Sequence, residues 1–149
     1  MEIRKVDWDT VHFQWKWNLW PGRYGIKAIS SMMYNDPTGY DLSIYEKYEP
    51  TFWGVYDGQT VVGVNTGFRT EDTLYRSRGI YVDDSYRGQG VAQLLFASLE
   101  EQAHSEGCDW MWSYPREGSH YAYLKFGFEM VSEWRNDSFG RNAYVLKNI

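Results

Sequence analysis

The sequence has only one cysteine, Cys108, so the chain can form no internal disulfide. Small secreted domains commonly rely on disulfides, and a single thiol instead suits a reducing compartment. The sequence also lacks any window of roughly 18–20 apolar residues that would span a membrane, and its first residues carry no signal-peptide pattern. From these absences we expect a cytoplasmic protein with no membrane partner.

Positive charge is also scarce, because 20 acidic side chains oppose 15 basic ones and the formal net charge is −5. Proteins that bind nucleic acid through its phosphates need a basic surface, so we expect no nucleic-acid partner. Repeats, low-complexity runs and linkers rich in Pro, Gly or Ser are absent too. A chain of 149 residues has the usual size of one domain, which we expect to cover residues 1–149.

Aromatic side chains, by contrast, are abundant: 8 Trp, 13 Tyr and 7 Phe make up 19% of the residues. Large rings bury much area and often line ligand clefts, so this composition favours a packed fold with aromatic walls around a cleft. The composition does not identify a ligand.

Hydrophobic periodicity predicts a mixture of strands and helices. Alternating or continuous apolar runs predict strands at residues 2–6, 51–56, 60–68, 74–82, 108–114, 128–134 and 143–146. Apolar spacings of three and four predict helices at residues 8–19, 41–47 and 118–126, and from residue 91 to a stop at Gly107. Asp9 or Thr10 is the expected cap of the first helix. Asp57-Gly58 is a hairpin turn signal between two of the strands.

A glycine-rich segment, residues 83–90, lies between the strand at 74–82 and the helix that begins near Val91. A helix start exposes backbone N–H groups and the positive end of the helix dipole, which together attract anions. Gly88 and Gly90 let the backbone approach a phosphate closely, and Arg87 adds a charged donor. A P-loop is excluded because no Lys-Ser or Lys-Thr follows the glycines, and the three-glycine dinucleotide fingerprint is not matched.

Two motifs in this region resemble those of one enzyme family. Arg87-x-x-Gly90-x-Ala92, directly after a strand, is similar to the pyrophosphate-binding motif of the GNAT superfamily of N-acetyltransferases. Further along the chain, residues 123–128 (Tyr-Leu-Lys-Phe-Gly-Phe) are similar to the Tyr-x-Lys-x-Gly-Phe that closes the family's last helix. The likeness spans residues 74–143, with a helix and a strand between the two motifs, as the family requires.

The resemblance implies an α/β (α+β) architecture, the acyl-CoA N-acyltransferase fold of the GNAT superfamily, with a twisted mixed sheet of six to seven strands and helices on both faces. CoA would bind where two central parallel strands part. The implied activity is direct transfer of an acetyl group from acetyl-CoA to a primary amine of a small molecule or peptide in a ternary complex. Acetylation of protein N-termini or lysines, and a non-catalytic acyl-CoA-binding or protein-interaction module, are the alternatives. The acceptor and the oligomeric state stay open, a homodimer included.

Individual residues receive roles from the same resemblance. The CoA pyrophosphate would lie on the loop and helix start formed by Arg87, Gly88, Gln89, Gly90, Val91 and Ala92. Pantetheine would pair with main-chain groups of Ile80, Tyr81 and Val82, near which an N–H group would stabilise the tetrahedral oxyanion. Tyr123 would act as the general acid that protonates the departing sulfur. Acetyl-CoA is therefore the expected co-substrate, and no metal is expected.

The general base is not identified by the sequence. Some family members place a Glu on the strand before the phosphate loop, where this chain has Arg76 and Arg78, which we expect to be solvated. Glu71, Asp72 and a water held by tyrosine side chains are the candidates. Cys108 is expected to be a small buried hydrophobe. No serine triad and no metal site are expected from the three histidines, His12, His104 and His120.

Overall fold

Seven strands form one mixed sheet in the part of the chain that the structure, a computed structural model, describes: residues 1–21, 47–137 and 140–149. The strands are β1 (Glu2–Lys5), β2 (Thr51–Asp57), β3 (Thr60–Glu71), β4 (Leu74–Val82), β5 (Trp110–Ser113), β6 (Glu129–Met130) and β9 (Val145–Asn148). A separate two-stranded ribbon consists of β7 (Arg135–Asp137) and β8 (Gly140–Asn142). The helices are α1 (Trp8–Gln14), α2 (Val91–Ser105) and α3 (Glu117–Lys125). The helix predicted at residues 41–47 lies, apart from Lys47, outside the described residues.

The sheet order is β1-β2-β3-β4-β5-β9-β6, and every neighbouring pair is antiparallel except β4 and β5. The hairpin predicted at Asp57-Gly58 joins β2 to β3, with Asp57 opposite Thr60. Because β4 and β5 are parallel, the chain needs a crossover connection between them, and α2 provides it. The predicted mixed sheet is therefore confirmed, with seven strands.

Helix α2 packs its apolar side against the sheet, as its spacing predicts. Leu95, Phe96 and Leu99 are each 0% exposed, and they join a core that includes Tyr75 of β4 and Met111 of β5. Full burial of an apolar side chain of this size stabilises a fold by about 1.5–3 kcal/mol. Helix α2 is thus a main support of one face of the sheet.

The opposite face of the sheet is covered by α1. Val11 of α1 and Trp15, which follows it, are both 0% exposed and pack with Val64 of β3 in a separate apolar cluster. Helices therefore lie on both faces, as predicted. None of the helices in the described ranges is long and apolar enough to cross a membrane.

Helix α1 differs from its prediction at both ends. Asp7, rather than Asp9 or Thr10, is the cap, because Asp7 Oδ1 accepts a hydrogen bond from the Thr10 N–H at 3.0 Å. The last part of the predicted helix, Trp15–Leu19, forms a wider π-helical turn. Sequence periodicity does not distinguish this turn from a regular helix, because both place rings on the same side within one or two turns.

The C-terminal part of the chain departs furthest from its prediction. The strand expected at 128–134 is reduced to β6, and the strand expected at 143–146 begins two residues later as β9. Ala143 is held outside the sheet because its N–H donates to the Pro115 carbonyl at 3.3 Å. The ribbon of β7 and β8 was not predicted, and Asn142 joins it to Arg116 through an isolated bridge.

A bulge interrupts β4 beside Trp15. Two residues of β4, Gly79 and Ile80, lie opposite the single residue Asn65 of β3. Gly79 has a φ of 79°, and its carbonyl accepts a hydrogen bond from Trp15 Nε1 at 2.8 Å. A Cβ atom at this position would lie 2.1 Å from the ring of Trp15. The backbone conformation and the adjacent indole therefore both require glycine here.

We expect Gly79→Ala to lower the free energy of unfolding by about 2–5 kcal/mol, the combined cost of a left-handed residue and an overpacked core. Gly107→Ala is the matched control, since Gly107 has a φ of 83° but nothing within 4 Å of an added Cβ. The control should lose only the backbone term, about 1–2 kcal/mol. Urea unfolding curves measure the difference, and equal losses would show that the Trp15 ring does not restrict position 79.

Candidate functional site

The two parallel strands of the sheet pair over a short distance only. Their paired positions run from Leu74 opposite Trp110 to Arg76 opposite Trp112. Strand β5 then ends, whereas β4 continues to Val82. Within the described residues, the edge of β4 beyond Arg76 has no neighbouring strand on this side. A cleft of about 650 Å³ opens beside this edge.

The cleft brings together most of the residues that the sequence assigned to a cofactor. Eight of the nine line it: Ile80, Tyr81, Val82, Arg87, Gly88, Gly90, Val91 and Ala92. Helix α3 contributes Ser119, Ala122 and Lys125 to the lining. A free strand edge, a glycine loop and two helices therefore face one space.

The start of α2 presents unpaired amides to the cleft. Gly90 precedes the helix with a φ of 84°, and it has no side chain that would cap the helix. The first backbone bond of α2 runs from the Leu94 N–H to the Gly90 carbonyl at 3.1 Å. The N–H groups of Val91, Ala92 and Gln93 consequently have no acceptor within the helix, and all three residues line the cleft. Such amides at the positive end of a helix dipole bind anions.

Arg87 is held in the loop by two contacts. Its Nη2 lies 2.9 Å from Asp84 Oδ1, and its Nε donates to the Val82 carbonyl at 3.2 Å. The side chain is 62% exposed and lines the cleft, so its guanidinium has further N–H donors that a ligand in the cleft could reach. Gln89 does not line the cleft, and its Nε2 donates to the Ser85 carbonyl at 3.2 Å. A contact of Gln89 with a cofactor stays a prediction.

Three cationic side chains without a role in the sequence analysis also line the cleft: Arg116, Lys125 and Arg141. Arg116 Nη2 donates to the Leu19 carbonyl at 3.1 Å, and Arg141 forms an ion pair with Glu117. With Arg87, four cations line the cleft against one carboxylate, that of Glu117, among the described residues. This excess favours an anionic ligand although the chain as a whole is acidic. Arg141 belongs to β8, so no local sequence pattern marks it as a residue of this site.

Tyr123 lies at the point where β4 and β5 part, and it is not part of the cleft lining. Its side chain is 1% exposed. Oη lies 2.8 Å from Ser77 Oγ on β4 and 3.1 Å from Ser113 Oγ at the end of β5. Burial raises the pKa of Tyr123, so the phenol carries its proton at neutral pH. The role of this hydroxyl as a general acid stays a prediction.

The two carboxylates considered as bases lie at the other end of β4. Glu71 ends β3, and Asp72 lies in the turn between β3 and β4. Because a strand rises about 3.3 Å per residue, the path from Asp72 to Tyr81 spans about 30 Å. The hydroxyl of Tyr48 and the ammonium of Lys47 also hold the pKa of Asp72 below its usual value. Neither carboxylate reaches the cleft, which removes both as candidates.

Arg76 is not the solvated residue that the sequence predicts, and Arg78 is only partly exposed. Arg76 is 4% exposed, and its guanidinium carbon lies 4.6 Å from the ring centroid of Trp112. The guanidinium carbon of Arg78 lies 4.9 Å from the Trp20 ring and 5.3 Å from the Trp15 ring. The prediction was wrong because these cation–π contacts join residues that are far apart in sequence.

Two further reactive side chains discussed above, Cys108 and His120, are buried in the fold. Cys108 is 3% exposed, which confirms the expected small buried residue, and burial raises the pKa of its thiol to about 11. His120 is 5% exposed, and its Nε2 lies 3.2 Å from the Ala143 carbonyl. Among residues 1–21, 47–137 and 140–149, no group of three or more His, Cys, Asp or Glu side chains could hold a metal ion. That the protein needs no metal stays a prediction.

The model of the acetyltransferase (GNAT) family matches residues 12–128 of this chain. The matched range contains both motifs that the sequence analysis singled out, at residues 87–92 and 123–128. It also contains the last three residues of α1, all of the cleft-lining part of β4, and helices α2 and α3. No curated protein matches the chain.

Solved acetyltransferase structures share this fold over nearly the whole chain. Aminoglycoside 6'-acetyltransferase type Ii has a TM-score of 0.72 at 18% identity, over 99% of this chain and 97% of that chain. Aminoglycoside 6'-N-acetyltransferase complexed with coenzyme A has a TM-score of 0.71 at 16% identity, over 99% and 97%. A GNAT family acetyltransferase from Elizabethkingia anophelis with acetyl-CoA bound has a TM-score of 0.62 at 12% identity, over 99% and 97%. At these identities the likeness shows the fold alone.

We expect Tyr123→Phe to lower the free energy of unfolding by about 1 kcal/mol, because it removes a buried hydroxyl that pairs with Ser77 Oγ and Ser113 Oγ. Tyr121→Phe is the matched control, since Tyr121 belongs to the same helix but is 76% exposed. Its effect should stay within about 0.5 kcal/mol. Chemical denaturation of both variants makes the comparison, and equally small effects would show that the Tyr123 hydroxyl contributes little to folding.

Proposed function

The chain belongs to the acetyltransferase (GNAT) family, and from that premise we propose that it transfers an acetyl group from acetyl-CoA directly to a primary amine of a small molecule or peptide. One observation carries the proposal: a cationic cleft joins the free edge of β4 to the amide-bearing start of α2. CoA is a long molecule with phosphates at one end and an amide-containing arm at the other. The cleft offers a complementary surface to each part.

The phosphate end of CoA fits the loop and the helix start. The N–H groups of Val91, Ala92 and Gln93 would bind the pyrophosphate, with Arg87 as an additional charged donor. Gly88 and Gly90 have positive φ, and no protein atom lies within 4 Å of the position that a Cβ would take at either. A phosphate could therefore approach the backbone here without meeting a side chain. Arg116, Lys125 and Arg141 supply further positive charge for the remaining phosphate.

The pantetheine arm fits the free edge of β4. Ile80, Tyr81 and Val82 line the cleft, and no strand of the described ranges pairs with their main chain on that side. An arm that contains amides can pair with such an edge much as an added strand would. This pairing would direct the thioester along β4 toward the bulge at Gly79 and toward Tyr123.

The reaction then needs three steps from groups near this point. The amine nitrogen forms a bond to the thioester carbon, and an N–H group near Tyr81 or Val82 stabilises the oxyanion. The C–S bond breaks, and its electron pair stays on sulfur, which takes a proton from Tyr123. The proton lost by the amine passes to water. Holding thioester and amine together removes much of the entropic cost of their encounter.

A second candidate is a non-catalytic acyl-CoA-binding module. The observation that favours it is the position of Tyr123, whose hydroxyl is buried against Ser77 and Ser113, together with the distance of Glu71 and Asp72 from the cleft. Acetylation of protein N-termini or lysines is a further alternative, distinguished from the leading proposal by the acceptor alone. The cytoplasmic location also stays a prediction, based on the single cysteine.

Release of free thiol tests the proposal directly. Acetyl-CoA and the protein are mixed with a panel of amines that includes an aminoglycoside, a polyamine, amino-acid amides, and peptides with a free N-terminus or lysine. We expect thiol release that depends on one class of amine, with the acetylated product identified by mass spectrometry. Binding of acetyl-CoA in calorimetry without thiol release for any amine would favour the non-catalytic module instead.

We expect Gly90→Ala to weaken CoA binding at least tenfold, which corresponds to about 1.4 kcal/mol, because its Cβ would point into the anion site. Gly107→Ala is again the control, since the two glycines have φ values of 84° and 83° at opposite ends of α2. It should leave the affinity unchanged while losing similar stability. Titration calorimetry with CoA decides the point: an unchanged affinity in folded Gly90→Ala protein would move the phosphate site elsewhere.

A further inference from the structure

Four buried polar side chains form a connected group where β4 and β5 part. Asn65 and Ser77 are 0% exposed, Tyr123 is 1% exposed and Ser113 is 3% exposed. They come from β3, β4, α3 and β5, so four separate elements contribute one polar atom group each. A buried polar group of this kind is stable only when its donors and acceptors match, so the position of each proton matters.

The proton of Ser113 has two acceptors within reach. Its Oγ lies 2.6 Å from the Ser77 carbonyl and 3.1 Å from Tyr123 Oη. A hydroxyl has one proton, and a carbonyl can only accept. The shorter contact therefore holds the Ser113 proton on the Ser77 carbonyl while Tyr123 is neutral.

The orientation of Ser77 is set from its other side by Asn65. Asn65 Oδ1 accepts from the Thr66 N–H at 2.9 Å, which turns Nδ2 toward Ser77 Oγ at 3.0 Å. Ser77 Oγ thus receives one proton from Asn65 and lies 2.8 Å from Tyr123 Oη. Its alternative acceptor, Asn65 Oδ1, is more distant at 3.4 Å. The well-aligned partner of the Ser77 hydroxyl is therefore Tyr123.

Loss of the Tyr123 proton would change this balance. A phenolate has no proton and can only accept, so the hydroxyl of Ser77 would then have to donate to Tyr123 Oη. The hydroxyl of Ser113 would be free to turn from the Ser77 carbonyl to the same oxygen. Two serine hydroxyls are thus available to donate to a Tyr123 phenolate, although they do not both donate to the neutral phenol.

We propose that Ser77 is a positioning residue for acetyl transfer, whose hydroxyl stabilises the Tyr123 phenolate formed when Tyr123 gives its proton to the departing CoA sulfur. Ser113 is the second, weaker donor to the same oxygen. This inference rests on the proposed function, in which Tyr123 is the general acid. It adds that Tyr123 acts with the support of a fixed hydroxyl from β4.

The step balances without any further reactant. The C–S bond of the tetrahedral intermediate breaks, its electron pair goes to sulfur, and the proton of Tyr123 Oη forms the S–H bond of CoA. Tyr123 is left as a phenolate that accepts from Ser77 and Ser113. Before the next turnover it regains a proton from solvent, and the serine hydroxyls return to their resting acceptors.

The proton transfer needs such support because the phenol is a weaker acid than the thiol it protonates. The reference pKa values are about 10 for tyrosine and about 8.5 for a thiol. Burial raises the pKa of Tyr123 further, whereas hydrogen bonds from Ser113 and Ser77 and the charge of Arg76 oppose that rise. The rings packed on Tyr123, those of Phe96 and Phe128, carry no charge. The serine hydroxyls are therefore the direct donors, and Arg76 is the charged group that assists them.

The test is a double-mutant cycle on kcat with acetyl-CoA and the amine found in the thiol assay, at a temperature where circular dichroism shows every variant folded. We expect Ser77→Ala to lower kcat about tenfold, with the KM for acetyl-CoA nearly unchanged. In a Tyr123→Phe background the same change should have no further effect, because no phenolate forms. Ser98→Ala, which removes another buried serine hydroxyl, is the control and should leave kcat unchanged in both backgrounds.

Ser113→Ala separates the two serines. It keeps the Ser77 donor, so kcat should fall by no more than about threefold. Ser77→Cys keeps a similar side chain but donates a weaker hydrogen bond, so it should also lower kcat. This variant takes the place of Ser77→Ala in the test if the alanine variant does not fold.

The results distinguish this inference from the proposed function. A wild-type protein that releases no thiol with any amine overturns both. If the wild-type protein releases thiol and the Tyr123→Phe enzyme is fully active, Tyr123 is not the general acid and Ser77 does not position it. If the kcat losses from Ser77→Ala and Tyr123→Phe multiply in the double variant, the positioning role of Ser77 is overturned while the proposed function stands. The same holds if Ser113→Ala lowers kcat as much as Ser77→Ala does.

Discussion

The parallel pairing of β4 with β5 determines where the parts of the cleft lie. A tight turn cannot join two parallel neighbours, so the chain must cross over the sheet through a helix. Helix α2 is that crossover, and because it follows β4, its amino-terminal end lies beside the carboxyl end of that strand. The free strand edge and the anion-attracting helix start are consequently neighbours for one topological reason. Early separation of the two strands then opens the space between them.

A gap between neighbouring strands removes backbone hydrogen bonds, and side chains supply some of the missing contacts here. Trp15 holds the bulge of β4 through the Gly79 carbonyl at 2.8 Å. Ser113 reaches across to the Ser77 carbonyl at 2.6 Å, immediately after the last paired position. The hydroxyl of Tyr123 lies between the two serine hydroxyls. These contacts hold both sides of the gap in place without occupying the cleft itself.

Features of the sequence that depend on local spacing predicted the structure well. The strand, glycine loop and helix that line one side of the cleft all lie within one continuous segment, and the 3.6-residue period of Leu95, Phe96 and Leu99 is a local property. Arg76 and Arg141 could not be placed in this way. Arg76 is buried by Trp112 of another strand, and Arg141 reaches the cleft only because an unpredicted ribbon carries it there. Contacts between segments that are distant in sequence leave no periodic signal, so the positions of these two arginines can be read only from the folded chain.

The uneven distribution of charge has a consequence for how quickly ligands arrive. In the part of the chain that the structure describes, four cations and one carboxylate line the cleft, whereas the whole chain has a net charge of −5. Because the Debye length at physiological ionic strength is about 8 Å, an approaching polyanion senses mainly the nearest part of the surface. A concave wall concentrates the local field, so encounters of the proposed phosphate-bearing cofactor would be guided to the cleft and would slow as salt is added. The acidic remainder of the surface attracts cations, so a cofactor and an ammonium-bearing acceptor would be steered to the protein by fields of opposite sign.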